Sequence, residues 1–299
     1  MNNLPKRHLG GTGMLVTSLG YGAMELRGAP RGPQVTERQA QAMLNALLDS
    51  GINYIDTSID YGRSEEMIGK FISGRRSEYY LATKCGCLAG DTPPPPGQRM
   101  PHVFTRENIV AGVEQSLSRM RTDYIDVLQF HAGPAREVLE ENDSVQALLD
   151  LKRDGKVRFI GMSATPPNLL DHIGMGVFDV FQIPYSALQL EHDEVITRAA
   201  QAGAGTVIRG GAARGSPSEG KQVGQAWESW QAAALDDLLD GMTRMEFTLR
   251  FTLTHPDVHT TIVGTSSLDH LRDNVNAVRK GPLPRELYVE ARRRLAGVG

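Results

Sequence analysis

A chain of 299 residues with 40% hydrophobic content can bury a substantial core, as one α/β barrel or as two smaller domains. Its formal net charge of −3 gives no electrostatic reason to expect nucleic acid or an anionic membrane surface as partner, and no segment approaches the roughly 18 consecutive apolar residues of a membrane span. The two cysteines, Cys85 and Cys87, sit one residue apart, which is no disulfide framework and lacks the partner pair of a zinc site. With a polar N-terminus that resembles no signal peptide, a reducing cytoplasm is the simplest home, and no metal is expected.

Residues 7–16 place Gly10, Gly11 and Gly13 between two short extended pieces, which predicts a β-hairpin. These glycines do not open a helix after a strand, so they are no dinucleotide fingerprint. After a first strand at 18–20, Thr36 caps a helix that carries Ala40, Met43, Leu44, Leu47 and Leu48 on one stripe, and Gly51 follows its end. Residues 53–56 read as a short buried strand. The next helix is expected to be capped by Ser64, with Glu65 and Glu66 where the helix dipole favours negative charge.

The alternation continues with a strand at 79–83, a helix capped by Thr105 with Ile109, Val113, Leu117 and Met120 facing inward, and a strand at 125–130. A helix over 143–154 stops at Gly155, and 157–162 is a continuous apolar strand. Strands at 180–184, 205–208 and 260–264 complete the set, with helices near 166–173, 191–202, 243–254 and 267–279. The helix at 243–254 carries a capping-box pattern, Thr243 to Glu246, and stops before Pro256. Eight apolar strands alternating with eight amphipathic helices predict a closed parallel (β/α)8 TIM barrel behind an N-terminal hairpin, as a single domain over 1–299; an open doubly wound sheet is the alternative.

Two connections are long. Residues 86–102, with four prolines at 93–96, follow the third barrel strand and should stand over the mouth as a stiff lid or wall. Residues 210–231 follow the seventh strand, and their start is well placed to hold a ligand. Past residue 282 one short helix remains, so no tail is expected to fold back over the mouth, and an open mouth predicts broad acceptance of substrates.

Asp56 and Tyr61 fall at or past the end of the second strand, Lys84 after the third and His131 after the fourth. In a parallel barrel these ends converge on the face where chemistry is done. A phenol in water titrates near about pH 10 and is a poor proton donor at neutral pH unless its anion is stabilised. A lysine charge at roughly 4 Å, in an effective dielectric of about 20, stabilises that anion by about 4 kcal/mol. Asp56 would hold Lys84 charged, and His131 would polarise a carbonyl or relay the proton. A Schiff-base role for Lys84 is disfavoured, because a charged amine is no nucleophile.

The runs Asp56-Thr-Ser-Ile-Asp-Tyr61-Gly-Arg-Ser-Glu65, Leu81-Ala-Thr-Lys84, Asp123-Tyr-Ile-Asp-Val-Leu-Gln-Phe-His131 and Gly155-Lys-Val-Arg-Phe-Ile-Gly-Met-Ser163 resemble the aldo-keto reductase superfamily, from the hairpin to the helix near 279. The resemblance implies a barrel that binds a nicotinamide dinucleotide in extended form and reduces aldehydes or ketones to alcohols by hydride transfer. It implies Tyr61 as general acid, Lys84 and Asp56 as its tuning pair, and His131 as the residue that orients the carbonyl. Ser163 and Gln182 would hold the nicotinamide carboxamide, with Tyr185 stacked on the ring, and Gly22, Met24 and Asp56 count among the cofactor positions. Arg209, Gly210, Gly211, Ala212 and Arg214 would line the pyrophosphate. Gly264, Thr265, Ser266, His270, Asp273 and Asn274 would line the adenosine end, where a helix N-terminus favours phosphate.

Two stretches depart from the family pattern. Ala164 stands where the family has Asn, and Arg209-Gly-Gly-Ala-Ala-Arg-Gly215 replaces a Trp-Ser-Pro-Leu-Gly-type run, which brings in a cation and a flexible backbone. At the adenosine end, the Lys-Ser pair and Arg of phosphate-preferring members are matched by Gly264, Thr265 and His270. NADP(H) is therefore expected over NAD(H) by a modest factor. Potassium-channel β subunits share the barrel and the tetrad, so the alternative function is a cofactor-sensing regulatory protein.

Overall fold

In the computed structural model the described residues are 3–298 apart from 30, 33, 91–97, 99 and 216–223. An antiparallel pair opens the chain, β1 (Lys6–His8) with β2 (Leu15–Thr17), in register Lys6 to Thr17 and His8 to Leu15. Barrel strands β3 (Leu19–Gly22), β4 (Tyr54–Asp56), β5 (Tyr80–Cys85), β6 (Ile125–Phe130), β7 (Val157–Ser163), β8 (Val180–Pro184), β9 (Gly205–Arg209) and β10 (Thr260–Val263) pair in parallel, each with the next, and β10 closes on β3. The structure is the closed (β/α)8 barrel with its N-terminal hairpin.

The helices cover the barrel in chain order: α1 (Glu37–Asp49), α2 (Ser64–Ile72), α3 (Arg106–Met120), α4 (Arg136–Glu141), α5 (Ser144–Arg153), α6 (Asn168–Gly174), α7 (Asp193–Gln201), α8 (Gln225–Ala232), α9 (Arg244–Thr254), α10 (Leu268–Arg279) and α11 (Arg285–Ala296). None of the described helices is long and apolar enough to cross a membrane. Thr36 closes a full capping box with Gln39, and Thr105, Thr243 and Ser267 cap α3, α9 and α10. The box expected at Thr243 is half made, because the Glu246 carboxylate turns to Arg250 at 3.0 Å and Lys280 at 2.8 Å.

Ser64 corrects another expectation. It lies inside α2, and its hydroxyl donates to the Ala23 carbonyl at 2.9 Å and sits 2.9 Å from Thr57 Oγ1. A tertiary partner within reach has won over the cap, and the serine ties α2 to the loop that carries Tyr61. The stretch read as a loop to 231 is helical from Gln225, and the prolines at 93–96 lie outside the described residues.

The hairpin explains which end of the barrel is open. Leu9, Met14 and Val16 pack into one apolar cluster with Tyr54, Ala82, Val127, Val180, Val207 and Ile262, which come from six of the strands. Gly11 donates to the Gly203 carbonyl at 2.9 Å, and a Cβ on Gly10 would meet Gly205 N at 2.3 Å, so only glycine allows the turn to dock there. The hairpin plugs the N-terminal ends of the strands. Side chains alternate along a strand, so the residues two positions beyond this apolar layer form the next inward layer. On five of the six strands that layer reads Asp56, Lys84, Gln129, Gln182 and Arg209, all polar and at the open end, and on the sixth it reads Gly264.

Candidate active site

Lys84 is wholly enclosed, and its ammonium is satisfied on every side. Nζ donates to Asp56 Oδ2 at 2.6 Å and to the Thr57 carbonyl at 2.7 Å, and it stands 4.8 Å from the Tyr61 ring centroid, where its charge interacts with the Tyr61 hydroxyl. Burial pushes the ammonium pKa down, but the Asp56 carboxylate and the Tyr61 hydroxyl outweigh it and leave it above the ordinary amine value. Asp56 is equally engaged: Oδ1 accepts from Gln129 Nε2 at 3.1 Å and from Gln182 Nε2 at 2.7 Å. Gln182 Oε1 in turn accepts from the Ser163 hydroxyl at 3.1 Å. One hydrogen-bonded chain therefore runs from Lys84, which lies beside Tyr61, through Asp56 to Gln182 and Ser163. The sequence does not single out Gln129, because its role is defined by a carboxylate on another strand.

His131 completes the mouth. Its N–H donates to the Cys85 carbonyl at 3.0 Å, and Ala132 and Gly133 follow with φ of +70° and +55°. A Cβ on Gly133 would meet Ala164 Cβ at 2.5 Å, so the left-handed turn that aims the imidazole needs glycine there. The His131 and Tyr61 rings lie edge to face with centroids 6.2 Å apart. Burial, then the charges of Lys84, His102, Arg209 and Arg31, push the imidazole pKa down to about 3, so the ring is neutral. Nδ1 is 3.0 Å from Cys87 Sγ, and burial first, with Asp60 adding to it, pushes that thiol up to about 12. With both groups neutral, a Cys87 thiol that donates to Nδ1 selects the tautomer with the imidazole hydrogen on Nε2.

Further round the mouth, Gly211 packs so closely that a Cβ would lie 2.2 Å from Thr261 Oγ1, and its carbonyl accepts from Thr252 Oγ1 at 2.8 Å. Gly210 holds φ of +75°, and Ala212 is buried; the Arg214 side chain lies outside what is described. Gly264 sits against β3, where a Cβ would be 2.8 Å from the Gly22 carbonyl oxygen, and Tyr21 donates to the Thr265 carbonyl at 2.8 Å. Ser266, His270 and Asp273 are exposed and Asn274 is half-buried. Met24 is 41% exposed, as a wall residue should be. Arg272 is engaged by Asp269.

Residues 18–292 match the model of the Aldo/keto reductase family. The chain belongs to this family. An uncharacterized oxidoreductase, YqkF, of Bacillus subtilis (strain 168) is 27% identical over 299 residues, covering 94% of this chain and 93% of that protein. L-galactose dehydrogenase of Arabidopsis thaliana is 30% identical over 298 residues, covering 93% and 89%. Among solved structures, the holo form of the aldo-keto reductase AKR11C1 from Bacillus halodurans superposes with a TM-score of 0.86 at 28% identity, covering 98% of this chain and 96% of that one. The protein is thus an oxidoreductase of the NAD(P)H-dependent aldo-keto reductases.

The residues of this reductase fit a dinucleotide laid across the mouth. Ser163 and Gln182 are a hydrogen-bonding pair at its floor, beside the buried Gln129 Oε1, which has no partner of its own among the described residues. Gly211 and Gly264 both pack where a Cβ would collide with the protein, against Thr261 Oγ1 and the Gly22 carbonyl oxygen, so both positions stay without a side chain. One assignment is corrected. Tyr185 has no exposed surface; its hydroxyl donates to Asp193 at 3.0 Å in α7 and lies 3.4 Å from Tyr288 in α11, and its ring packs on His255 and Phe251. A ring built into the helix layer offers no face to a nicotinamide.

Proposed function

We propose that this reductase converts aldehydes or ketones to alcohols, with Tyr61 as the general acid. The observation that carries the reading is the Lys84 ammonium, fixed by Asp56 and Thr57 and directed at the Tyr61 hydroxyl. With its charge held beside that oxygen, Lys84 makes the phenol a stronger donor through its own O–H and stabilises the phenolate left behind. His131, neutral with its hydrogen on Nε2, donates a second hydrogen bond to the carbonyl oxygen and fixes its angle. The bound dihydronicotinamide supplies the hydride. The proton from Tyr61 Oη goes to the carbonyl oxygen, and Asp56 keeps Lys84 charged while the phenolate is regenerated from solvent.

Ser163 and Gln182 would hold the carboxamide and so choose the face of the ring. Arg209 and the backbone of Gly210 and Gly211, with Arg214, would hold the pyrophosphate. Thr265, Ser266 and the start of α10 would receive the adenosine phosphate, with NADP(H) favoured modestly over NAD(H). The two buried, unpaired thiols suit a reducing cytoplasm. The test is NADPH oxidation with a panel of aldehydes and ketones. Tyr61→Phe should lose about 10²- to 10⁴-fold in kcat with cofactor affinity kept. Full turnover by that variant would overturn the assignment, and cofactor that binds tightly but is turned over by no carbonyl would favour a regulatory role.

A further inference from the structure

Cys87 and His102 face each other across the neck of the loop at 86–102 as an antiparallel bridge pair. The neck is braced from several sides. Leu88 N donates to the Pro101 carbonyl at 2.9 Å and Val103 N to the Gly86 carbonyl at 2.7 Å, while the Asn108 side-chain amide donates to the Cys87 carbonyl at 3.0 Å and the Val103 carbonyl at 2.7 Å. Gly86 holds φ of +89° with the Phe104 ring 2.4 Å from where a Cβ would stand, and that ring stacks on His102 with centroids 6.1 Å apart. His131 enters from the end of β6, its Nδ1 3.0 Å from Cys87 Sγ and its ring centroid 5.4 Å from that of His102. One ligand atom from each of the three residues lies within 4.8 Å of the others.

We propose that Cys87, His102 and His131 form a binding site for a borderline-soft divalent metal ion, Zn²⁺ above all, and that the ion bound there switches the reductase off. Tetrahedral zinc with sulfur at about 2.3 Å and nitrogen at about 2.0–2.1 Å places neighbouring ligand atoms roughly 3.3–3.6 Å apart. The 3.0 Å contact between Cys87 and His131 must open by a few tenths of an ångström, and rotation of the exposed His102 side chain brings its nitrogen from within 4.8 Å to ligand distance. Binding forms one metal–sulfur and two metal–nitrogen bonds and releases the Cys87 thiol proton to solvent; water takes the fourth position, and nothing is oxidised or reduced. The donor set is one thiolate and two imidazoles without a carboxylate, so hard cations such as Mg²⁺ and Ca²⁺ have nothing to bind. Lys84, Arg31 and Arg209 lie close enough to oppose a cation, and Asp60 is the nearby anion. Affinity is accordingly set on the order of micromolar, well short of closed structural zinc sites.

Coordination through Nδ1 leaves the Nε2 hydrogen in place, so inhibition comes from the hydrated ion itself, which stands at the mouth beside Tyr61 and takes space from the incoming carbonyl. This inhibition rests on the proposed function, which seats the carbonyl beside Tyr61; the binding itself does not. The test uses the full chain, stripped with EDTA, and titrated with Co²⁺ and Zn²⁺. The expected result is a thiolate-to-cobalt charge-transfer band that saturates at one equivalent and is abolished by Zn²⁺, with EDTA-reversible inhibition of NADPH oxidation by Zn²⁺ and none by Mg²⁺. Cys87→Ser and His102→Ala should each raise the Zn²⁺ concentration for half-inhibition by about tenfold or more, each measured against its own metal-free rate. Absence of the cobalt band, or inhibition unchanged in both variants, overturns the site. A cobalt band without inhibition upholds the metal site and overturns its action as a switch.

Discussion

Lys84→Met removes the ammonium while keeping most of the side-chain volume, and its effect on rate can be worked from the site. Nζ stands 4.8 Å from the Tyr61 ring centroid. At an effective dielectric of about 20, a full charge at that separation stabilises the phenolate by about 3.5 kcal/mol, or roughly 300-fold in rate. The substitution also leaves the Asp56 carboxylate buried without its counter-ion, which costs about 3–5 kcal/mol of stability. The companion Asp56→Asn/Lys84→Met removes that problem, because the side-chain oxygen of Asn accepts from Gln129 and Gln182 as Asp56 Oδ1 does. The assay is a single-turnover measurement of NADPH oxidation by an aldehyde, with cofactor affinity from fluorescence and thermal melts as controls. Both variants should lose two to three decades in rate while the double variant melts close to wild type. A rate within about tenfold of wild type in both, at unchanged cofactor affinity, would refute the electrostatic role of Lys84.

Stability should fall on mild acidification. His131, at about 3, and His172, His192, His255 and His259 are all held below the ordinary imidazole range, first by burial. Each binds its proton more readily when unfolded, so the stabilisation is complete above about pH 6.5 and is lost as pH falls below it; the buried Glu65, pushed up by burial, opposes this as one group against five. A Tm at pH 5 equal to or above that at pH 7.5 would refute the assignment of neutral, buried rings. For the coenzyme, a Cβ on Gly264 would lie 3.2 Å from Glu25 Cγ and 3.9 Å from Oε1, so the groove carries a carboxylate that repels a 2′-phosphate. Glu25→Gln should raise kcat/KM for NADPH relative to NADH by roughly fivefold, and a ratio unmoved by this change would show the phosphate to lie elsewhere.

Much of the site was legible because strand side chains alternate. Tyr54 and Asp56, Ala82 and Lys84, Val127 and Gln129, and Val180 and Gln182 each step from the apolar layer to the polar layer above it. The same parity accounts for the misplaced tyrosine. Counting from the inward Gln182, Ile183 and Tyr185 fall on odd offsets and point outward, which is where Asp193 and Tyr288 hold the phenol. Arg209, two residues beyond the inward Val207, falls on the inner side and bears on His131 through its charge. Ser64 failed for a different reason: a cap preference is local, and the Ala23 carbonyl that captured the hydroxyl is 41 positions away. Cys87 and His102 were invisible for a related one, since the bridge that opposes them closes a loop whose geometry no local pattern encodes. Alternation thus assigns residues within a strand, and it stops at the strand's end. The groups that adjust the chemistry, the Cys87 thiol against His131 and the Glu25 carboxylate against Gly264, sit just beyond the ends of β5 and β3, where only tertiary contacts decide which way a side chain turns.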